Sequence, residues 1–150
     1  MVAKDPNLFS KLLEGLWSRD RLVRMRAADA AEKVTREKPS LLAKYKKELL
    51  GLLREATEPE MRWHLAVMAP RLSLDAKERR VVMSSLREYL LASSSIVKTF
   101  ALEGMADLAR EDPATRDAVM ETLREAARKG TPAMRARSRK LLRELEATNQ

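Results

Sequence analysis

Apolar positions along this chain repeat on two nested periods. An aliphatic–cationic pair occurs as Val23-Arg24, Met61-Arg62, Val97-Lys98 and Met134-Arg135, at intervals of 38, 36 and 37 residues. Four residues after each aliphatic stand Ala27, Leu65, Ala101 and Ser138. Eight after stand Ala31, Ala69, Met105 and Leu142, and eleven after stand Val34, Leu72, Leu108 and Leu145. Offsets of 0, 4, 8 and 11 share one face of an α-helix, because a turn takes 3.6 residues. Eleven residues before the anchors, Leu12, Leu50, Leu86 and Leu123 mark a preceding helix in each period. The pattern predicts eight helices, at 6–18 and 20–36, 40–55 and 58–72, 75–91 and 95–110, 113–128 and 132–146, with no strand signal. Four such pairs (6–36, 40–72, 75–110 and 113–146) make one all-α domain over 1–150. A fixed period of this length is the mark of a helical solenoid.

The joints carry cap chemistry. Asp5-Pro6, Asp112-Pro113 and Thr131-Pro132 each set a side-chain acceptor before a residue with no amide hydrogen to lose. Asp20, Glu58, Ser94 and Thr131 each stand three residues before an anchor, in the turn entering the second helix of the pair. Pro70 is placed to end or kink the fourth helix, and Gly130 fits a helix C-terminal turn.

Composition narrows the class further. The 150 residues are 45% apolar with only two each of Trp, Tyr and Phe, so the core is aliphatic and large enough for one domain. The absence of cysteine excludes a disulfide framework and a thiolate metal site. The first residues show no apolar signal-peptide stretch, and no run reaches the roughly 18 apolar residues of a membrane span. A cytoplasmic protein without a membrane segment is the expectation.

The stretches Asp20-Arg21-Leu22-Val23-Arg24-Met25-Arg26-Ala27-Ala28 and Glu58-Pro59-Glu60-Met61-Arg62-Trp63-His64-Leu65-Ala66 resemble HEAT repeats, whose second helix opens with an acid, an aliphatic–Arg pair and small residues. The resemblance spans about residues 6–146. It weakens where Ser94 and Thr131 replace the acid and where Arg139 stands in place of Ala28, Ala66 and Leu102. It implies a right-handed α-α superhelix that acts as a scaffold or adaptor, with second helices lining a concave surface. It also implies that Arg24, Arg62, Lys98 and Arg135 pair with the acid or with turn carbonyls; a ligand-binding role is the alternative.

Under that arrangement offsets 2, 6 and 9 point away from the core: Met25, Trp63, Thr99 and Ala136; Asp29, Val67, Glu103 and Lys140; Glu32, Pro70, Ala106 and Arg143. Offset 3 adds Arg26, His64, Phe100 and Arg137 on the flank. The candidate partner-binding face is therefore Met25, Arg26, Trp63, His64, Val67 and Phe100, with Trp63 as its apolar anchor, since Trp and Arg are enriched at binding hot spots. The competing reading packs Trp63 between helices as core.

Charge supplies a second candidate. The net charge is +8, and residues 128–150 hold seven basic and two acidic side chains. Arg135, Arg137, Arg139, Lys140 and Arg143 form a candidate site for an anionic partner or nucleic acid, with salt-sensitive binding. Alternatively they are the polar cap that a terminal solenoid unit requires.

Catalytic constellations are sparse. His64 is the only histidine, no carboxylates accompany it at metal-ligand spacing, and the four glycines form no phosphate loop. The chain is expected to be no enzyme, with no cofactor or metal and a protein partner. A remote alternative is a HEAT-like DNA glycosylase, by analogy of fold alone.

Overall fold

The computed structural model describes residues 5–148, and every regular element among them is helical. The elements are α1 (Pro6–Glu14), α2 (Arg21–Glu37), α3 (Lys46–Glu55), α4 (Pro59–Met68), α5 (Ala76–Tyr89), α6 (Ser95–Arg110), α7 (Pro113–Lys129) and α8 (Pro132–Thr148). Tighter 3-10 turns occupy Gly15–Trp17, Pro39–Tyr45 and Ala69–Arg71. The predicted helix at 40–55 therefore begins as a 3-10 segment. A three-residue period stacks Leu42 above Tyr45, which puts Leu42 in the core and the Tyr45 ring edge-on to Phe9 at 6.3 Å. Pro70 ends α4, and Gly130 caps α7 by donating its N–H to the Ala126 carbonyl.

Caps lie where acceptors precede the helices. Asp5, Asp20, Ser94 and Asp112 accept from Asn7, Leu22, Val97 and Ala114 respectively. Thr131 accepts from Met134. Asp75 and Glu78 form a reciprocal capping box at α5. Glu58 is the exception: Arg24 has taken its carboxylate.

Each odd helix packs on the even helix after it, and the even helices contact one another in order, α2 on α4, α4 on α6 and α6 on α8. One apolar core runs through the stack from Phe9 to Leu145. Polar ties between pairs recur at about one period. Arg24 reaches Glu58, Lys46 reaches Glu78, Arg71 reaches Glu32, Arg110 reaches Glu144, and Arg137 reaches Glu103. The Tyr89 hydroxyl donates to the Leu53 carbonyl at 2.5 Å, and the Ser95 and Thr131 hydroxyls pair at 2.6 Å.

Position in the stack decides burial. Met61 and Val97 are buried, but Val23, the anchor of the first pair, is 43% exposed because no helix precedes α2 in the row of even helices. The helices α4 and α6 have row neighbours on both sides, so their buried arc is wider than the sequence pattern suggests. Val67, Thr99 and Ala106 were expected to face outward and are buried.

Candidate functional site

The face built by α2, α4, α6 and α8 carries a ladder of side chains that crosses all four helices. It starts at Asp29 on α2, whose carboxylate lies 3.6 Å from His64 Nε2 on α4. The His64 Nδ1 lies 2.5 Å from the Glu60 carbonyl. A carbonyl only accepts, so Nδ1 carries a proton. The Trp63 ring stacks on His64 with centroids 3.5 Å apart, and on Phe100 of α6 at 4.7 Å. The Arg137 guanidinium of α8 lies 5.5 Å from the Phe100 centroid and 2.8 Å from Glu103. Helix spacing and the one-period repeat together bring these residues into line.

Two cavities flank the ladder. One, of about 290 Å³, is lined by Met25, Arg26, Asp29, Glu60, Trp63 and His64. The other, of about 350 Å³, is lined by Glu32, Arg36, Val67, Arg71, Phe100, Glu103, Asp107 and Arg137. The predicted set thus divides in two: Met25, Arg26, Trp63 and His64 share the first cavity, and Val67 and Phe100 wall the second. Trp63 is half-buried, an intermediate between exposed anchor and core. His64, expected at the surface, is only 2% exposed, because the Trp63 ring covers it while α2 closes its other edge. Val67 is 7% exposed and offers the second cavity little beyond its methyl groups.

Ion pairing dominates this face. Glu32, buried on α2, accepts from Arg71 Nη2 at 2.6 Å and from Arg36. Burial pushes its carboxyl up, but the hydrogen bonds and charges of the two arginines outweigh that and hold it down at about 2. Arg71 also donates to the Glu32 carbonyl and to Thr35. Hydrogen bonding by Lys33 keeps Asp29 below the usual carboxylate range despite partial desolvation, with His64 adding to the effect. Burial instead pushes Asp107 up, against the pull of Arg110. Sequence reasoning did not select Glu60, Arg36, Arg71 or Asp107 for this face. Glu32 and Arg71 stand 39 residues apart, a pairing that no local pattern in the sequence marks.

The arginine column is structural at its first two positions. Arg24 grips Glu58 with two nitrogens at 2.8 and 3.0 Å and donates to the Ser18 and Arg19 carbonyls. Arg62 donates to the Ala56 carbonyl at 2.7 Å and covers the Tyr89 ring at 4.7 Å. The next two positions, Lys98 and Arg135, are half-buried.

The five basic residues of the last helix fall into two groups. Arg137 is committed to Glu103 and Phe100, and Lys140 lies 4.0 Å from Glu144. Arg139 and Arg143 are exposed on the side of α8 opposite its buried Ser138, Leu141 and Leu145. Arg135, half-buried one turn before Arg139, continues the Arg139–Arg143 row at i, i+4 and i+8, away from Arg137.

No family model, curated protein or solved structure matches the chain. Among the described residues no group of three or more His, Asp and Glu is placed to share a metal ion, and no helix is long and apolar enough to cross a membrane.

Proposed function

We propose that the chain is a HEAT-like α-solenoid, right-handed in its superhelix, that works as a non-catalytic scaffold and holds a protein partner on the concave face of α2, α4, α6 and α8. The ladder Asp29–His64–Trp63–Phe100–Arg137 carries this reading. A Trp ring that is held rigid by stacking and lines a cavity loses little entropy on receiving a partner's side chain. Tryptophan and arginine in such settings dominate binding energy. Most charges along the ladder are already paired, Arg71 and Arg36 with Glu32, Arg137 with Glu103 and Lys33 with Asp29, while Arg26 stands exposed at the rim of the Trp63 cavity. Arginines bound to carboxylates are poor phosphate neutralisers, which favours a protein over a nucleic acid on this face.

The second reading, electrostatic binding of nucleic acid, draws on the exposed Arg139 and Arg143 at the outer side of α8. The two separate experimentally. Affinity capture with wild type, Trp63→Ala and Arg139→Ser plus Arg143→Ser is run beside fluorescence anisotropy of single- and double-stranded oligonucleotides at about 50 and 200 mM salt. The scaffold reading expects proteins retained by wild type and by the arginine variant but lost with Trp63→Ala, and no oligonucleotide binding. Salt-sensitive oligonucleotide binding that disappears in the arginine variant, with no capture dependent on Trp63, would replace it.

A further inference from the structure

The row of odd helices contains a gap. α3 packs on α5, but α5 and α7 make no comparable contact. Two cavities lie in the cleft between them. One, of about 230 Å³, has Arg79, Arg80 and Arg87 of α5 facing Thr115 of α7, with Met83 and Leu108 beneath. The other, of about 380 Å³, is walled by Leu90, Leu91, Ala126 and Met134. Thr122 lines this second cavity and takes a long 3.5 Å hydrogen bond from Arg87 of the first, so the two adjoin along one cleft. Arg79 and Arg80, adjacent in the first turns of α5, thus both line a concavity.

We infer that this cleft is a second binding site, for a short acidic peptide segment that carries aliphatic residues. Three observations select that ligand. Three guanidiniums converge on one cavity. Its one lining acid, Asp112, already accepts from the Ala114 amide and lies 3.8 Å from Arg79. Arg79 is held by the Leu74 carbonyl at 3.0 Å, but the other two are weakly committed: Arg80 is exposed, and the Arg87 bond is at the limit of hydrogen-bond length, so a carboxylate offers them a stronger, charge-assisted partner. The far end of the cleft is apolar and bears Leu91, 86% exposed, the most exposed large aliphatic among the described residues. Nucleic acid fits less well, because the far half is mostly aliphatic and its single cation, Lys129, lies 4.0 Å from Glu125 on the same wall. From Arg80 to the end of α5 at Tyr89 is about 14 Å of helix, and Leu91 stands in the turn just beyond. An extended peptide covers that distance in about five residues, which sets the spacing between its acids and its aliphatics.

The site lies on the layer opposite Trp63 and stands apart from the proposed scaffold face. The probe is a fluorescein-labelled peptide, Glu-Glu-Ser-Ser-Ser-Leu-Leu, titrated with the full chain by anisotropy. Companion peptides carry Lys for Glu or Ser for Leu. Expected is saturable binding that weakens about tenfold or more with Arg80→Glu plus Arg87→Glu, and severalfold with Leu91→Ser. It should be lost with the Lys peptide and unchanged by Trp63→Ala. Both arginines and Leu91 are exposed, so the variants are expected to fold, which circular dichroism checks. Amide shifts in wild type report the same site without mutation, and they should cluster on α5 and α7. No binding up to about 1 mM, equal binding of the Lys peptide, indifference to the double charge reversal or shifts elsewhere would each overturn the assignment.

Discussion

Between α2 and α4 the contact is closed by long ionic side chains: Arg24 on Glu58, Arg21 on Glu58 and Glu60, and Arg71 on Glu32. Between α4 and α6 it is closed by bare backbone. Gly104 lies so near α4 that a Cβ added there would stand 2.3 Å from the Ala66 carbonyl oxygen, with Ala101 and Ala106 buried beside it. The two junctions hold the same helix by different physics. Ion pairs reach across a wider gap, depend on protonation and can rearrange. Small residues allow close approach, bury no charge and have little freedom to adjust. The ladder from Asp29 to Arg137 spans both, with its Asp29–His64 rung on the ionic junction and its Trp63–Phe100 rung on the close-packed one.

The sharpest way to break the close-packed junction is Gly104→Ala. The clash falls on backbone, which cannot swing aside, so the expected loss is about 4 kcal/mol, far beyond the ~1 kcal/mol that alanine returns in helix propensity. Urea unfolding measures it, and a stabilised variant would show that α4 and α6 are not this close.

The ionic junction should fail to acid. The Glu32 carboxyl falls from an ordinary 4.5 to about 2 on folding. Its contribution is therefore complete above pH 4.5 and is lost as pH falls toward 2. The shift corresponds to about 3 kcal/mol. Glu32→Gln should cost about that much at pH 7, with the gap to wild type closing across the same window. Hydrogen exchange at pH 3 should show α2 opening before α6. Equal protection of the two helices at that pH would remove the distinction between the junctions.

The same contrast explains what the sequence disclosed. Helix pairs, their period and most caps were legible because one apolar face at 3.6-residue spacing and an Asp or Ser before a helix are local signals. Trp63, His64, Phe100 and Arg137 were legible as neighbours because the repeat aligns equal offsets. The burial of His64 and Val67 was not, since it depends on α4 having row neighbours on both sides. Nor was Gly104: an isolated glycine inside a helical pattern looks like a weakness until the facing carbonyl is known. The Glu32–Arg71 pair joins residues 39 apart, and nothing local in either segment selects one arginine from thirty basic side chains. The α5–α7 cleft is a scarcity of contact, bridged by Arg87 and Thr122, which no pattern of residues announces.

The α6–α8 junction is intermediate, and one side chain there tests whether it belongs with the close-packed kind. Ser138 occupies the column filled by Ala27, Leu65 and Ala101, and it is fully buried with no partner for its hydroxyl oxygen. A buried hydroxyl without a hydrogen bond costs free energy that alanine would not. The change removes one atom, so the cavity left behind is small beside the desolvation recovered. Ser138→Ala should therefore stabilise the chain by about 1 kcal/mol, read as a rise in the urea midpoint at unchanged slope. It should leave the Trp63 face untouched, because Ser138 lies on the buried side of α8 and Arg137 reaches Phe100 from its flank. A destabilised variant would mean that the hydroxyl has found a partner, and that this junction, like the one between α2 and α4, is held by polar groups.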